Sequence, residues 1–260
     1  MSRRTALVTG ASAGIGQGFA EKLASQGYDL VLVARRRERL EALGRDLQAR
    51  FGVAVHIVAE DLGDAGAVER ILHTVDDAGL HVDFLVNNAG FAARTSLVDS
   101  DWSVLNQEIQ VMVTALTELM VKLGRRMVKR GYGHIINVAS LAAFAPSPAG
   151  MLYTGIKNYV VNVSESADME FRQHGVRVTA LCPGFTYTEF HDVQGTREQV
   201  SRLPSILWQD VSAVIEEGYR AALAGKPVCV PGRFNKVIAS VSGLLPESVR
   251  YQLGRRGRIY

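Results

Sequence analysis

Tyr153 and Lys157 stand four residues apart in a stretch, Tyr-Thr-Gly-Ile-Lys, that reads as helix, so both side chains share one face. An ammonium beside a phenol favours the phenolate, which suits the tyrosine to give or take a proton at an alcohol or carbonyl oxygen. Ser140, thirteen residues earlier at the end of a strand-like run, offers a hydroxyl for the same oxygen. A second group of residues is built for anions. Thr9-Gly10-Ala11-Ser12-Ala13-Gly14-Ile15-Gly16 follows an apolar run and opens an amphipathic stretch. Glycine there lets the backbone turn tightly and approach a pyrophosphate, whose charge meets the free amides and positive end of a helix.

The end of the second apolar run bears on which dinucleotide would fit. A carboxylate there accepts the ribose 2′-hydroxyl of NAD, whereas the 2′-phosphate of NADP repels a carboxylate and attracts arginine. Ala34-Arg35-Arg36 occupies this place, without an acid. The expected cofactor is therefore NADP(H), with Arg35 on the phosphate and Arg36 assisting.

These groups must be held by a framework, and the framework is legible. Apolar runs at Ala6–Val8, Leu30–Val33, Val53–Val58, Phe84–Val86, Ile135–Val138, Val176–Leu181 and Val228–Val230 alternate with helical patterns near 14–26, 36–50, 64–78, 101–130, 151–173 and 210–224. Continuous apolar runs are the mark of strands covered on both faces. Regular alternation implies an α/β fold, a doubly wound parallel sheet of about seven strands flanked by helices, with no linker to divide residues 1–260. The stretch 185–208 breaks the alternation with Gly195, Pro204 and the aromatics Phe185, Tyr187, Phe190 and Trp208. A connection of that length suits a substrate lid.

Composition excludes several classes. With 47% apolar and 21% charged residues, the chain is neither disordered nor fibrous. The net charge of +3 is set by position, since Arg250, Arg255, Arg256 and Arg258 lie beyond the last acid, Glu247. The rest is close to neutral, which argues against a nucleic-acid binder and leaves residues 250–260 as a basic tail of unassigned task. Cys182 and Cys229, both within apolar runs, suggest neither disulfide nor metal site. No apolar stretch is long enough for a transmembrane segment, and Val237 to Leu245 is suited instead to cap a cleft or join another subunit. With no signal-like apolar region after Met1, a cytoplasmic location is expected.

Taken together, the motifs resemble the short-chain dehydrogenase/reductase family. They occur in family order: Thr9 to Gly16, Asp61-Leu62, Asn87-Asn88-Ala89-Gly90, Ser140, Tyr153 with Lys157, and Pro183-Gly184 followed by Thr188, a resemblance running from Thr5 to about Gly232. It implies a nucleotide-binding oxidoreductase acting on carbonyls or secondary alcohols, with Ser140, Tyr153 and Lys157 as catalytic residues and Lys157 also on the nicotinamide ribose. Cofactor contacts would come from Gly10, Ser12, Gly14, Ile15, Gly16, Asp61, Leu62, Asn88, Ala89, Gly90, Pro183, Gly184, Thr186 and Thr188. Asp61 and Leu62 would flank the adenine. Phe91, Leu141, Phe144, Phe185 and Phe190 suggest an apolar pocket, with Ala142 and Met151 nearby; His134 and His191 lack partners at useful spacing. The family's habit of pairing its two long helices implies a homodimer or homotetramer. One departure stands out: Met112 falls where the family carries a relay asparagine, which weakens the polar relay or, as the alternative reading, leaves a cofactor-binding regulator.

Overall fold

The computed structural model describes residues 3–91, 100–144, 151–187 and 208–256. Its seven-stranded sheet consists of β1 (Thr5–Thr9), β2 (Asp29–Ala34), β3 (Val55–Ala59), β4 (Val82–Asn87), β5 (Gly133–Val138), β6 (Val176–Leu181) and β9 (Val228–Cys229), in the order β3-β2-β1-β4-β5-β6-β9. Every neighbouring pair is parallel. A separate two-stranded ladder pairs β7 (Phe185–Thr186) with β8 (Trp208–Gln209).

The strands are apolar over most of their length because alternate residues enter different cores. Ala6, Val8, Leu30, Leu32, Phe84 and Val86 pack on one face with Phe19 and Leu23 of α1 (Gly14–Ser25), Leu40 and Leu47 of α2 (Arg37–Phe51), and Val214 and Ile215 of α7 (Val211–Leu223). Leu7, Val31, Val33, Leu85 and Ile135 face the opposite way. They meet Ile71 and Val75 of α3 (Ala67–Asp77), Leu119 of α5 (Leu116–Arg130), and Ile156 and Val160 of α6 (Met151–Phe171). The side chains of the central strands are thus largely removed from water on one layer or the other, the arrangement that parallel sheets require, while edge strand β3 is only partly buried.

The structure departs from the expected elements in two places. The single helix expected over 101–130 is divided: α4 (Trp102–Ile109) passes through a π-helical turn, Gln110–Ala115, before α5 begins. The wider turn admits an extra residue, which a hydrophobic period alone does not register. Beyond β9 the chain continues as α8 (Arg233–Leu244) and α9 (Glu247–Arg256), so the segment expected as a basic tail begins as helix. No helix among the described residues is long and apolar enough to cross a membrane.

A polar network crosses the centre of the larger core just beneath the strand ends. Asn87 and Asn137 occupy facing positions on β4 and β5, and Asn87 Nδ2 donates to Asn137 Oδ1 at 2.9 Å. Asn137 Nδ2 donates to Ser164 Oγ of α6 at 2.9 Å, and Asn87 Nδ2 reaches the Leu116 carbonyl of α5 at 3.3 Å. Two strands and two helices are tied together at one depth, in surroundings where an unmade bond is costly. Asn137→Ala is expected to lower stability by about 2 to 3 kcal/mol by orphaning these groups and opening a small cavity. Urea unfolding, with a lower midpoint at unchanged slope, checks this.

Candidate functional site

The strand order makes the site. From β1 the chain winds outward to β2 and β3, then returns to place β4 on the other side of β1. Helices leave the carboxyl ends of β1 and β4 on opposite faces, and a crevice opens at that reversal. The glycine turn lies there. Gly10 has φ +64° and Gly14 φ +56°, left-handed conformations that favour glycine. A Cβ on Gly16 would stand 2.3 Å from the Gly10 carbonyl oxygen and 2.4 Å from Asn88 Nδ2, so α1 can pack this closely only without a side chain at that position.

Asn88 clamps the turn from β4. Its Nδ2 donates to the carbonyls of Thr9 at 3.1 Å and Gly10 at 3.3 Å. In return, Thr9 Oγ1 accepts from the backbone amides of Asn88 at 2.9 Å and Ala89 at 3.0 Å. No side chain caps the start of α1 and no acid lies in its first turn, which leaves an amide-lined, positively polarised end for a pyrophosphate. Ile15, in the first turn of α1, and Gly90, just beyond β4, border the same strand ends.

At the end of β2 the two arginines separate. Arg36 returns to the glycine turn, with Nε and Nη2 donating to Ser12 Oγ at 3.1 and 2.9 Å. Arg35 extends the other way, its Nη1 lying 3.6 Å from Asp61 Oδ2. Asp61 also accepts from the Gly63 amide at 2.9 Å, and Leu62 beside it is buried. Ser12, Arg35, Arg36 and Asp61 thus lie along one side of the glycine turn.

The residues expected to handle a proton gather at the carboxyl end of β5. Lys157 is 5% exposed, and its Nζ donates to the Val138 carbonyl at 2.8 Å while lying 5.4 Å from the Tyr153 ring centre. Burial pushes this lysine down to about 8. Asn158, the next residue of α6, donates from Nδ2 to the Ala143 carbonyl at 3.0 Å. The helix is therefore pinned on both sides of the loop carrying Ser140. That loop is closed by Ser140 Oγ, which accepts from the Ala142 amide at 3.1 Å, and by the Leu141 amide, which donates to the Pro183 carbonyl at 2.8 Å. Leu141 to Phe144 form a short 3-10 turn beyond it.

Met112 is fully buried in the π-helical turn. Measured from the place a Cβ on Gly90 would take, its Sδ is 3.0 Å away and Lys157 Nζ 3.8 Å. The thioether thus occupies the neighbourhood of the lysine. On the remaining side, Thr186 turns its hydroxyl to the Gly184 carbonyl at 3.0 Å, and a Cβ on Gly184 would meet Asn235 Nδ2 at 2.5 Å. Asn235 Nδ2 also donates to Gln209 Oε1 at 2.9 Å and the Pro231 carbonyl at 3.1 Å. Asn235 and Gln209 support the Pro183–Thr186 turn from the C-terminal region; each is a lone amide with no motif around it, and nothing in the sequence marks them.

Phe91, Leu141, Phe144 and Phe185 are half-buried near these strand ends. Phe185 and Tyr187 also meet Trp208, with ring centres 5.7 and 4.7 Å apart, so aromatic contacts join the two ends of the expected lid. Thr188, Phe190, His191 and most of the lid lie outside the described residues, as does the Met151 side chain. His134 sits at the opposite end of β5, buried against Phe84, where burial lowers its basicity. Cys182 and Cys229 are buried free thiols, pushed up to about 12 and about 11. Both are thereby kept from thiolate chemistry.

Known proteins share this plan. Over 196 residues the chain is 37% identical to a sulfoacetaldehyde reductase of Chromohalobacter salexigens, a match spanning 75% of this chain and 77% of that one. A serine 3-dehydrogenase of Agrobacterium fabrum is 34% identical over 190 residues, spanning 72% and 73%. Among solved structures, a short-chain dehydrogenase from Sphingobium yanoikuyae in complex with NADPH superimposes with a TM-score of 0.84 at 32% identity, covering 98% of this chain and 96% of the other. The family described as short chain dehydrogenase matches residues 4–199, the span that contains the glycine turn, Asn88, Ser140, Tyr153 and Lys157. An alternating sheet with its crevice at the β1/β4 reversal, carrying these motifs in order, places this chain in the short-chain dehydrogenase family of oxidoreductases.

Proposed function

We propose that this chain is an NADP(H)-dependent oxidoreductase interconverting a carbonyl and a secondary alcohol, with Tyr153 as general acid and base. The observation that carries the reading is the buried Lys157 ammonium beneath the Tyr153 ring, fastened to the end of the strand that leads into Ser140. The glycine turn and Asn88 would hold the pyrophosphate. Arg35 and Arg36 would face a 2′-phosphate, supported by the absence of any acid directly after β2 and by the NADPH bound to the Sphingobium relative. When bound, the nicotinamide supplies or accepts the hydride.

The protein's own part is position and proton handling. In the reductive direction Tyr153 Oη and Ser140 Oγ hold the carbonyl oxygen, and Tyr153 gives it a proton as charge develops there. Lys157, positively charged below about pH 8, favours the phenolate left behind and orients the nicotinamide ribose. Phe91, Leu141, Phe144 and Phe185 favour an apolar substrate. The regulator reading rests on Met112 alone. Because Tyr153, Lys157 and the Ser140 loop are held together despite that methionine, we favour retained hydride transfer with an altered relay.

Tyr153→Phe is expected to lower turnover of a carbonyl substrate by roughly 100- to 10,000-fold while NADPH affinity stays near wild type; wild-type turnover in the variant overturns the assignment. Arg35→Ala combined with Arg36→Ala is expected to weaken NADPH binding by roughly tenfold to a hundredfold and leave NADH nearly unchanged. Fluorescence titration with both cofactors measures this, and a wild-type preference for NADH would refute the cofactor choice. Lys157 loses its proton as pH rises through about 8, so kcat/KM for NADPH should fall through that range. A flat profile there would remove the lysine's charge from the mechanism.

A further inference from the structure

Helix α8 is apolar on its outward side. Phe234, Val237, Val241 and Leu244 recur at intervals of three, four and three residues and so form one stripe, yet they are 45%, 59%, 48% and 84% exposed. The inward side holds Asn235, Ile238, Ala239 and Ser242, of which Asn235 is buried. A helix on the surface of a water-surrounded fold normally turns its apolar stripe to the core, so this reversal marks a surface that something else covers. Exposed apolar side chains continue onto α9 at Val249 and Tyr251.

Charge indicates the occupant. Residues 233–260 contain six basic side chains and the single acid Glu247, whereas the residues before Arg233 contain 23 basic and 25 acidic ones. Arg233 and Arg255 are exposed, and Arg250 Nε is buried with no hydrogen-bond partner among the described residues. Lys236 is engaged with Glu217 at 2.8 Å. An apolar stripe edged with arginine, on a helix too short to span a bilayer, fits the headgroup and upper acyl region of an anionic membrane. A second copy of the chain fits less well, because a two-fold contact through this face would set its cations against one another.

We propose that α8 and α9 dock the protein on anionic lipid surfaces, with Phe234, Val237, Val241 and Leu244 entering the interface and the arginines meeting lipid phosphates. α8 also lies against the Leu141–Phe144 turn, and its Asn235 supports Gly184, so the docked face adjoins the wall of the crevice. On the carbonyl-reductase reading, an apolar substrate would then enter from the bilayer.

Vesicle flotation of the full chain tests the docking itself. Vesicles of phosphatidylcholine and phosphatidylglycerol in equal parts should carry the protein, phosphatidylcholine vesicles should carry far less, and added salt should weaken the binding. Replacing the four stripe residues with serine should reduce binding by roughly tenfold or more without changing NADPH affinity. Should that variant fold poorly, Arg233→Glu with Arg255→Glu keeps the stripe and should lose the preference for anionic vesicles. No flotation of the wild type, or flotation unaffected by either variant, overturns the proposal. So does a stripe variant that changes only the sedimentation coefficient, since a second copy would then be the occupant. NADPH affinity and turnover are read separately, and their failure with docking intact would count against the oxidoreductase reading alone.

Discussion

The contact between β1 and β4 is the constraint on which the molecule depends. Two strands distant in sequence lie side by side, and the chain leaves their ends toward opposite faces of the sheet. Asn88 then bridges their ends by holding the carbonyls of Thr9 and Gly10, while Thr9 takes the amides that begin the next loop. With these polar groups satisfied by one another, and the Ala11 amide donating to the Val33 carbonyl of β2 at 3.2 Å, the glycine turn is fixed against both neighbouring strands. Gly16 has no freedom in this arrangement: the backbone of Gly10 occupies the space a side chain would need.

A second tension lies in the burial of Lys157. An ammonium withdrawn from water is disfavoured, and here it donates to a neutral carbonyl, that of Val138, which offsets burial less than a carboxylate would. The surrounding structure holds it there through the packing of α6 on the sheet and through the Asn87–Asn137–Ser164 network below. A charge retained in such a place is set apart from the surface ion pairs elsewhere, which sit in water and contribute little. Met112, the departure from the family pattern, adds a polarisable but weakly bonding neighbour to that environment.

The family match ends at residue 199, and the C-terminal portion beyond it supplies β8, the last helix of the sheet layer, β9 and the two terminal helices. Trp208, Gln209 and Asn235 from these elements meet Phe185 and the turn at Gly184.

Much of the fold was legible in the residues because its rules are local. Apolar runs too continuous for one-sided sheets required helices on both faces, and the spacing of Gly10, Gly14 and Gly16 marked the tight turn that opens the first helix. Tyr153 and Lys157 share a face by helical spacing alone, and Arg35 follows β2 wherever that strand lies. Features that required the tertiary structure depend on neighbours remote in sequence. The π-helical turn that sets Met112 by Gly90 and Lys157, the amides of Gln209 and Asn235 beneath Gly184, and the Asn87–Asn137 pair leave no periodic trace, since one inserted residue or one buried amide does not alter a hydrophobic pattern. The outward stripe of α8 shows the same limit: its spacing announces a helix, but only the packed structure decides which face meets protein and which is left to something else.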